Sequence, residues 1–329
     1  MSAFQTGSVA NHRELAETLY TFLTGDPGTV GRDWESLMYE NTKNSTTGEP
    51  FGSYCKQFVL KNIGDSETEN VIIGVRCWEY SDGGAYGLDL NGYITWTTGQ
   101  MWNDNHGDHG LIPSTYNSTW NRWANHPMIP LMNDTMQYWF FSNAQRVVIV
   151  VKTSSYYQSA YLGFGNRFGS PEQYPHPLLV IGCLYGNLLY SNAGTAHQFI
   201  LRPYITGSNG TIMAVDPSNV YSTMKPSMGS LKFVPSSSDY STSVFVRNDI
   251  NNRKVLWPVY VVMDNQLLMA LDDVFFNFSD NVSSEANLVY GGEKYMLFQN
   301  INRITHYDFM IVNTNTVGTT TTTTTTTTS

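Results

Sequence analysis

The chain has 329 residues, of which 41% are hydrophobic, 14% aromatic and only 14% charged. The charged share is roughly half that of an ordinary soluble protein, so Asn, Ser, Thr, Gly and Tyr must supply most of the polar surface. Abundant aromatic residues exclude intrinsic disorder, and the composition is not that of a coiled coil. A formal net charge of −9 indicates no basic surface for nucleic acid.

No stretch reaches the roughly 18 consecutive apolar residues of a membrane helix. Residues 1–10 lack the basic and apolar blocks of a secretory signal, so we expect a protein that is made in a cytosol and is not inserted into a membrane. The three cysteines, Cys55, Cys77 and Cys183, show no metal-binding spacing. We therefore expect them to be reduced and buried as small apolar residues.

The first predicted element is an amphipathic helix. Asn11 is a suitable N-cap, and Glu14 follows at the spacing of a capping box. Apolar residues then recur on one helical face: Leu15, Leu19, Phe22 and Leu23. The Gly-Asp-Pro-Gly run at 25–28 predicts the end of the helix.

Beyond Trp34, short β-rich runs alternate with turn residues. The predicted strands are 57–60, 71–80, 93–97, 138–141, 146–152, 178–184, 198–201, 244–247, 255–262, 267–271, 294–298 and 308–312. The runs 255–262 and 267–271 flank Asp264 and Asn265, which predicts a hairpin. The expected fold is mostly β (α+β), with antiparallel sheets in a sandwich-like arrangement and one N-terminal helix.

Composition divides the chain into three regions. Residues 1–205 form a predicted N-terminal α+β domain that contains a long loop at 99–135. Residues 206–318 form a predicted C-terminal β domain after a stretch rich in Ser, Asn, Gly and Pro. Residues 319–329 form a tail that begins with ten threonines, Thr319 to Thr328. A flexible tail is expected, with strand addition to a neighbouring subunit as the alternative.

The densest polar cluster lies at 103–110, where His106, Asp108 and His109 are of metal-ligating types. A solvated turn explains the same residues, because Asn, Asp and Gly form turns and tolerate His between them. We therefore expect no metal here, and a hydrolase that uses this cluster is the weakest alternative. No nucleophile motif, carboxylate pair or phosphate loop stands out. The sequence predicts no enzyme activity and no cofactor.

Aromatic residues in two segments are candidates for contacts with other proteins. One set is Tyr156, Tyr157, Tyr161 and Tyr174, around a proline-stiffened corner, and the other is Trp102, Trp120 and Trp123, in the long loop. Tyr and Trp rings pack against apolar surface and keep a polar group for a wet interface. An alternative function for the loop aromatics is stacking on sugars, as in a receptor- or carbohydrate-binding protein.

Several segments, in order along the chain, carry a family resemblance. They are 58–60, 69–76, 87–93, 138–140, 143–152, 154–164, 171–182, 291–303 and 307–309. In these segments the chain resembles a family of virion structural proteins encoded among the tail genes of contractile-tailed bacteriophages. The resemblance extends through almost the whole chain except the threonine tract.

The resemblance implies a structural component of the contractile tail or baseplate that acts through subunit interfaces without catalysis. Its partners would be other tail or baseplate subunits, such as tube, sheath or hub-associated proteins. The resemblance also implies several symmetric copies around the tail axis. The expected location is the virion, after assembly in the host bacterial cytoplasm, with no nucleic-acid partner and no membrane insertion. Low charge agrees with this expectation, because the cores of large permanent interfaces are depleted of charged residues.

Overall fold

The computed structural model describes residues 2–41, 53–64, 69–80, 84–93, 95–97, 115–117, 122–124, 128–168, 178–183, 197–201, 213–215, 231–234, 249–250, 253–254, 256–263, 266–277, 283–299 and 308–312. Strands dominate this part of the chain, as the sequence predicts, and the described helix lies near the N-terminus.

The elements of the first 183 residues are β1 (Ala3–Val9), α1 (His12–Thr24), β2 (Glu35–Glu40), β3 (Ser53–Asn62), β4 (Val71–Tyr80), β5 (Ala85–Tyr93), β6 (Thr115–Asn117), β7 (Arg122–Ala124), β8 (Met128–Leu131), β9 (Met136–Ser142), β10 (Arg146–Thr153), β11 (Tyr156–Phe164), β12 (Asn166–Arg167) and β13 (Leu178–Cys183). The remaining elements are β14 (His197–Leu201), β15 (Met213–Val215), β16 (Leu231–Val234), β17 (Asp249–Ile250), β18 (Arg253–Lys254), β19 (Trp257–Met263), β20 (Gln266–Asn277), β21 (Asn287–Tyr290), β22 (Glu293–Gln299) and β23 (Asp308–Val312).

The predicted helix is confirmed, together with its cap. The Asn11 side chain accepts hydrogen bonds from the backbone N–H groups of Arg13 and Glu14, each at 3.0 Å. The Glu14 carboxylate accepts a hydrogen bond from the Ala10 N–H at 2.6 Å, one residue before the cap. The predicted apolar stripe is buried: Leu15, Leu19, Phe22 and Leu23. At 13 residues the helix is short, and no helix in the described part of the chain is long and apolar enough to span a membrane.

The larger sheet has twelve strands and is antiparallel throughout its described pairings. Its main order is β1-β9-β10-β11-β13-β8-β5-β4-β3-β2, and β14 and β15 continue from β13. Helix α1 packs across the face formed by β1, β3, β4, β5 and β9. The core on this face includes Phe140 and Ile149, together with the apolar stripe of α1.

The smaller sheet has seven strands in the order β16-β19-β20-β23-β22-β21, with β12 paired to β20. It covers the opposite face of the larger sheet, where Phe141 and Val148 join Val261 and Phe298 in one core. The strands β9 and β10 are therefore apolar on both faces, as expected for strands buried on both sides. The result is three layers: helix, larger sheet, smaller sheet.

Two sequence predictions about strands are wrong. The predicted loop 99–135 contains β8, which lies between β13 and β5 within the larger sheet. The prediction of a loop depended on the low periodicity of residues 99–135, and Pro130 in β8 is of a type normally excluded from inner strands. The predicted strand 93–97 lies at the wrong place in the chain. The observed strand β5 ends at Tyr93, and residues 95–97 are not in a strand.

Other predictions about the chain have mixed outcomes. The predicted hairpin is confirmed, since Met263 of β19 pairs with Gln266 of β20. The strand at 244–247 and the tail 319–329 lie outside the described residues. Regions on both sides of residue 205 contribute to the core between the two sheets, so the two predicted domains pack as parts of one structure.

Candidate functional site

A β-bulge brings two cysteines together beneath the start of α1. In the pairing of β3 with β4, Tyr54 lies opposite Trp78 and Lys56 lies opposite Cys77, which leaves Cys55 as the extra residue. A bulge interrupts the alternation of side chains between the two faces of a sheet. Lys56 therefore contacts Glu17 of α1, while its neighbour Cys55 contacts Cys77.

The two sulfur atoms and the first residue of the helix form one buried group. The Sγ atoms of Cys55 and Cys77 are 2.9 Å apart, and Cys77 Sγ lies 3.7 Å from the carbonyl oxygen of His12. One potential ligand atom from each residue lies within 4.8 Å of the other two. We call Cys55, Cys77 and His12 the thiol–imidazole cluster.

Glu79 orients the imidazole of this cluster. His12 Nε2 lies 3.3 Å from Glu79 Oε2, and the Arg13 guanidinium contacts the same carboxylate oxygen. The other ring nitrogen, His12 Nδ1, is buried and has no hydrogen-bond partner. A buried polar atom without a hydrogen-bond partner lowers the stability of the fold, so an unpaired Nδ1 suggests that this nitrogen has another role.

The contact between the sulfur atoms shifts the pKa values of the two thiols in opposite directions. The hydrogen bond with Cys77 lowers the pKa of Cys55 to about 6, burial opposes that shift, and the His12 imidazole reinforces it. Complete burial and the same hydrogen bond raise the pKa of Cys77. The pKa of Cys55 is therefore lowered and that of Cys77 raised, so Cys55 is the more acidic of the two thiols.

Two chemical roles suit this arrangement. Two sulfur atoms and an imidazole nitrogen are ligands for thiophilic metal ions, and two adjacent thiols can also form a disulfide. A nucleophile that attacks a large substrate is disfavoured, because all three side chains are buried. Both cysteines are free and buried, which agrees with the prediction made from the sequence, and the side chain of Cys183 lies outside the described residues.

A second buried polar group lies where the two sheets meet. Arg146 is completely buried and contacts Asp272 Oδ2 at 3.3 Å and Asp273 Oδ2 at 2.9 Å. The Asp272 carboxylate also accepts hydrogen bonds from Asn143 at 2.7 Å and Asn166 at 3.0 Å. Burial alone would raise the pKa of Asp272. Arg146 and these two amides lower the pKa by more than burial raises it, so the net shift is downward. This group joins the sheets rather than forming a reactive site.

The predicted interface tyrosines have different positions in the structure. Tyr157 and Tyr161 are buried between the two sheets, and Tyr156 is half-buried. The Tyr157 hydroxyl contacts Glu285, and the Tyr161 hydroxyl donates to the Phe164 carbonyl at 2.5 Å. Both buried rings thus serve contacts within the chain.

The remaining candidates cannot be placed at the level of side chains. Tyr174, Trp102, Trp120, His106, Asp108 and His109 lie outside the described residues. Trp123 belongs to β7, and its side chain is also outside the described part.

Exposed apolar residues occur at the tip of one hairpin. The strands β21 and β22 are joined by Gly291 and Gly292, whose φ angles of +62° and +89° favour glycine. Val289 is 71% exposed and Tyr290 is 52% exposed. β21 is the last strand of the smaller sheet among the described residues, and within that part of the chain no strand pairs with its outer edge. We call residues 287–294 the edge hairpin.

Sequence reasoning missed the thiol–imidazole cluster, because its members are far apart in the chain. Two of them lie on or beside predicted neighbouring strands, 57–60 and 71–80, so pairing these strands would have placed Cys55 near Cys77. The bulge that sets their register has no sequence signal, and neither has the contact with His12. No protein-family model matches the chain, and no curated protein matches its sequence.

Proposed function

We propose that the chain is a structural subunit of the contractile tail or baseplate of a bacteriophage, which acts through subunit interfaces without catalysis. The observation that carries this proposal is the series of family-like segments in a fixed order along the chain. Several of these segments coincide with paired strands: β4 with β5, β9 with β10, and β11 with β13. The segments 291–303 and 307–309 fall on β22 and β23 of the smaller sheet, so the resemblance extends over strands of both sheets rather than a single motif.

The distribution of charge supports the same proposal. The chain has only 45 charged residues, the sum of 18 basic and 27 acidic ones. Among the residues that the structure describes, six charged side chains are buried: Lys56, Arg76, Glu79, Asp89, Arg146 and Asp272. A chain with so few charged residues has a surface with little charge, and such surfaces suit large permanent interfaces.

The edge hairpin offers a contact point for a neighbouring virion subunit. Its outer strand has a free edge in the described structure, and its tip exposes the apolar side chains of Val289 and Tyr290. Large exposed apolar residues and unpaired strand edges are features that proteins normally cover. In a symmetric assembly, each copy would present the same hairpin to its neighbour.

The first test is to identify the chain in purified particles. Mass spectrometry of virions produced from the phage genome that encodes it should detect this protein in a fixed ratio to the tail proteins, in several copies per particle. Its absence from particles would overturn the proposal. If the protein is present in particles and binds glycans on an array through its loop aromatics, the alternative of a receptor- or carbohydrate-binding tail protein is favoured.

A further inference from the structure

The thiol–imidazole cluster has the composition of a metal site. Structural and catalytic zinc sites use cysteine sulfur and histidine nitrogen, with Zn–S distances of about 2.3 Å and Zn–N distances of about 2.0 Å. In tetrahedral geometry these lengths place two ligand atoms about 3.5 to 3.8 Å apart. The observed ligand atoms lie within 4.8 Å of one another, and the two sulfur atoms are 2.9 Å apart. Small side-chain rotations would therefore bring all three to coordination distance.

The surroundings of His12 provide a second, independent observation. Metal-bound histidine usually donates its other ring N–H to a carboxylate, which fixes the ring and its tautomer. With Nε2 beside Glu79 Oε2, His12 has this arrangement, and its buried Nδ1 lacks a hydrogen-bond partner. A metal ion would satisfy Nδ1. A disulfide between the cysteines would use neither the imidazole nor the carboxylate.

We propose that Cys55, Cys77 and His12 bind one thiophilic divalent cation of the zinc class, through two sulfur atoms and His12 Nδ1. Glu79 is the positioning residue that holds the imidazole. The ion would connect the first residue of α1 to the bulge of β3 and to β4, which are far apart in the chain. This site is independent of the role proposed above, since it would bind metal whether or not the chain is part of a virion.

Metal loading of the purified full-length chain tests the proposal. The protein is kept reduced with a phosphine, stripped with a chelator, loaded with Zn²⁺ or with Co²⁺ as a spectroscopic probe, and desalted. We expect about one bound metal ion per chain by elemental analysis. The Co²⁺ form should show thiolate charge-transfer absorption and the intense visible bands of tetrahedral coordination.

Variants identify the ligands. Cys55→Ser and Cys77→Ser should each abolish the thiolate absorption and the stable binding of metal. The matched control Cys183→Ser should retain both, and so should the double variant His106→Ala/His109→Ala, which removes the alternative cluster predicted from the sequence.

A separate variant tests the positioning role of Glu79. Glu79→Gln should weaken Zn²⁺ binding about 10- to 100-fold, measured by competition with a chromophoric chelator, while the Co²⁺ spectrum retains its thiolate bands. This readout keeps the proposal testable even where a cysteine variant fails to fold.

Three results would overturn the proposal. One is less than a tenth of an equivalent of metal in the reduced wild-type chain. Another is full metal binding by Cys55→Ser, or its loss in Cys183→Ser or in the double histidine variant. The third is a Cys55–Cys77 disulfide that resists the phosphine and prevents metal binding.

Discussion

Arg146 illustrates how single residues of this chain place charge inside the fold. The guanidinium is completely buried, and it faces the carboxylates of Asp272 and Asp273 across the junction of the two sheets. Burying a charge is costly unless it is paired and hydrogen-bonded. Asn143 and Asn166 supply further hydrogen bonds to Asp272, so the carboxylate of this pair is well satisfied.

The lowered pKa of Asp272 leads to a prediction about acid stability. A carboxylate with a lowered pKa in the folded state stabilises the fold above its unfolded pKa of about 4, and that contribution is lost as the pH falls through the folded value. Asp272→Asn should therefore reduce the free energy of unfolding by about 3 kcal/mol at neutral pH, because it removes the more buried of the two carboxylates that face Arg146. The difference from wild type should shrink below about pH 4, as measured by denaturant unfolding over a pH series.

The neighbouring aspartate provides the control for this prediction. Asp273 contacts the same arginine, but its side chain is more exposed, and asparagine tolerates its φ of +55°. Asp273→Asn should cost clearly less than Asp272→Asn at neutral pH. An equal cost for the two variants, or a difference for Asp272→Asn that stays constant down to pH 2, would contradict this interpretation.

At the scale of elements, two irregular features carry the functional interpretations. The bulge in β3 creates the thiol–imidazole cluster, because it directs Cys55 and Lys56 towards groups on the same side of the sheet. The edge hairpin exposes apolar side chains at the end of the smaller sheet. In both cases regular strands hold the backbone in place. The irregular position then presents the side chains of the candidate metal site or of the candidate interface.

The edge hairpin gives a prediction about assembly. The double variant Val289→Ser/Tyr290→Ser should fold normally, since both side chains are exposed, but it should enter particles about tenfold less efficiently if these residues anchor an interface. The measurement is complementation of a phage that lacks the gene, followed by quantification of the protein in purified virions.

A control variant tests whether reduced incorporation is specific to the edge hairpin or follows from the loss of any exposed apolar side chain. Ile63 is 50% exposed and directly follows β3, far along the chain from the edge hairpin. Ile63→Ser should enter particles as well as the wild type. Equal incorporation of all variants would show that the edge hairpin is not an interface.

The whole molecule is organised around a core that the two sheets share. Phe298 of the smaller sheet packs edge-on against Trp139 and Phe141 of the larger sheet, with ring centroids 5.1 Å and 6.2 Å apart. Tyr157 lies beside the same ring at 6.1 Å. The strand β12 also crosses from the first region of the chain to pair with β20. These contacts couple the regions that the sequence divides at residue 205.

This coupling predicts that both sheets unfold together. Phe298→Ala should lower the free energy of unfolding by about 3 to 5 kcal/mol, because it leaves a cavity in the shared core. The melting curves from tryptophan fluorescence and far-ultraviolet circular dichroism should shift by the same amount. The exposed control Tyr290→Ala should change stability by less than about 0.5 kcal/mol. Two separate transitions, only one of them shifted, would indicate independent domains.

The sequence by itself determined the local features whose signals are short in range. The cap at Asn11, the apolar stripe of α1 and the hairpin between β19 and β20 depend on residues a few positions apart, so their patterns are readable from the chain. The same holds for the β-rich class, because strand-forming runs and turn residues recur throughout.

Only the tertiary structure decided the features that depend on contacts between distant residues. The order of strands in the larger sheet places β8 inside it despite Pro130, and the register of β3 on β4 brings Cys55 to Cys77. The approach of α1 then adds His12, and the packing of one sheet on the other buries Tyr157, Tyr161 and Arg146. Each of these outcomes arises from burial and pairing across long separations, which no local pattern specifies.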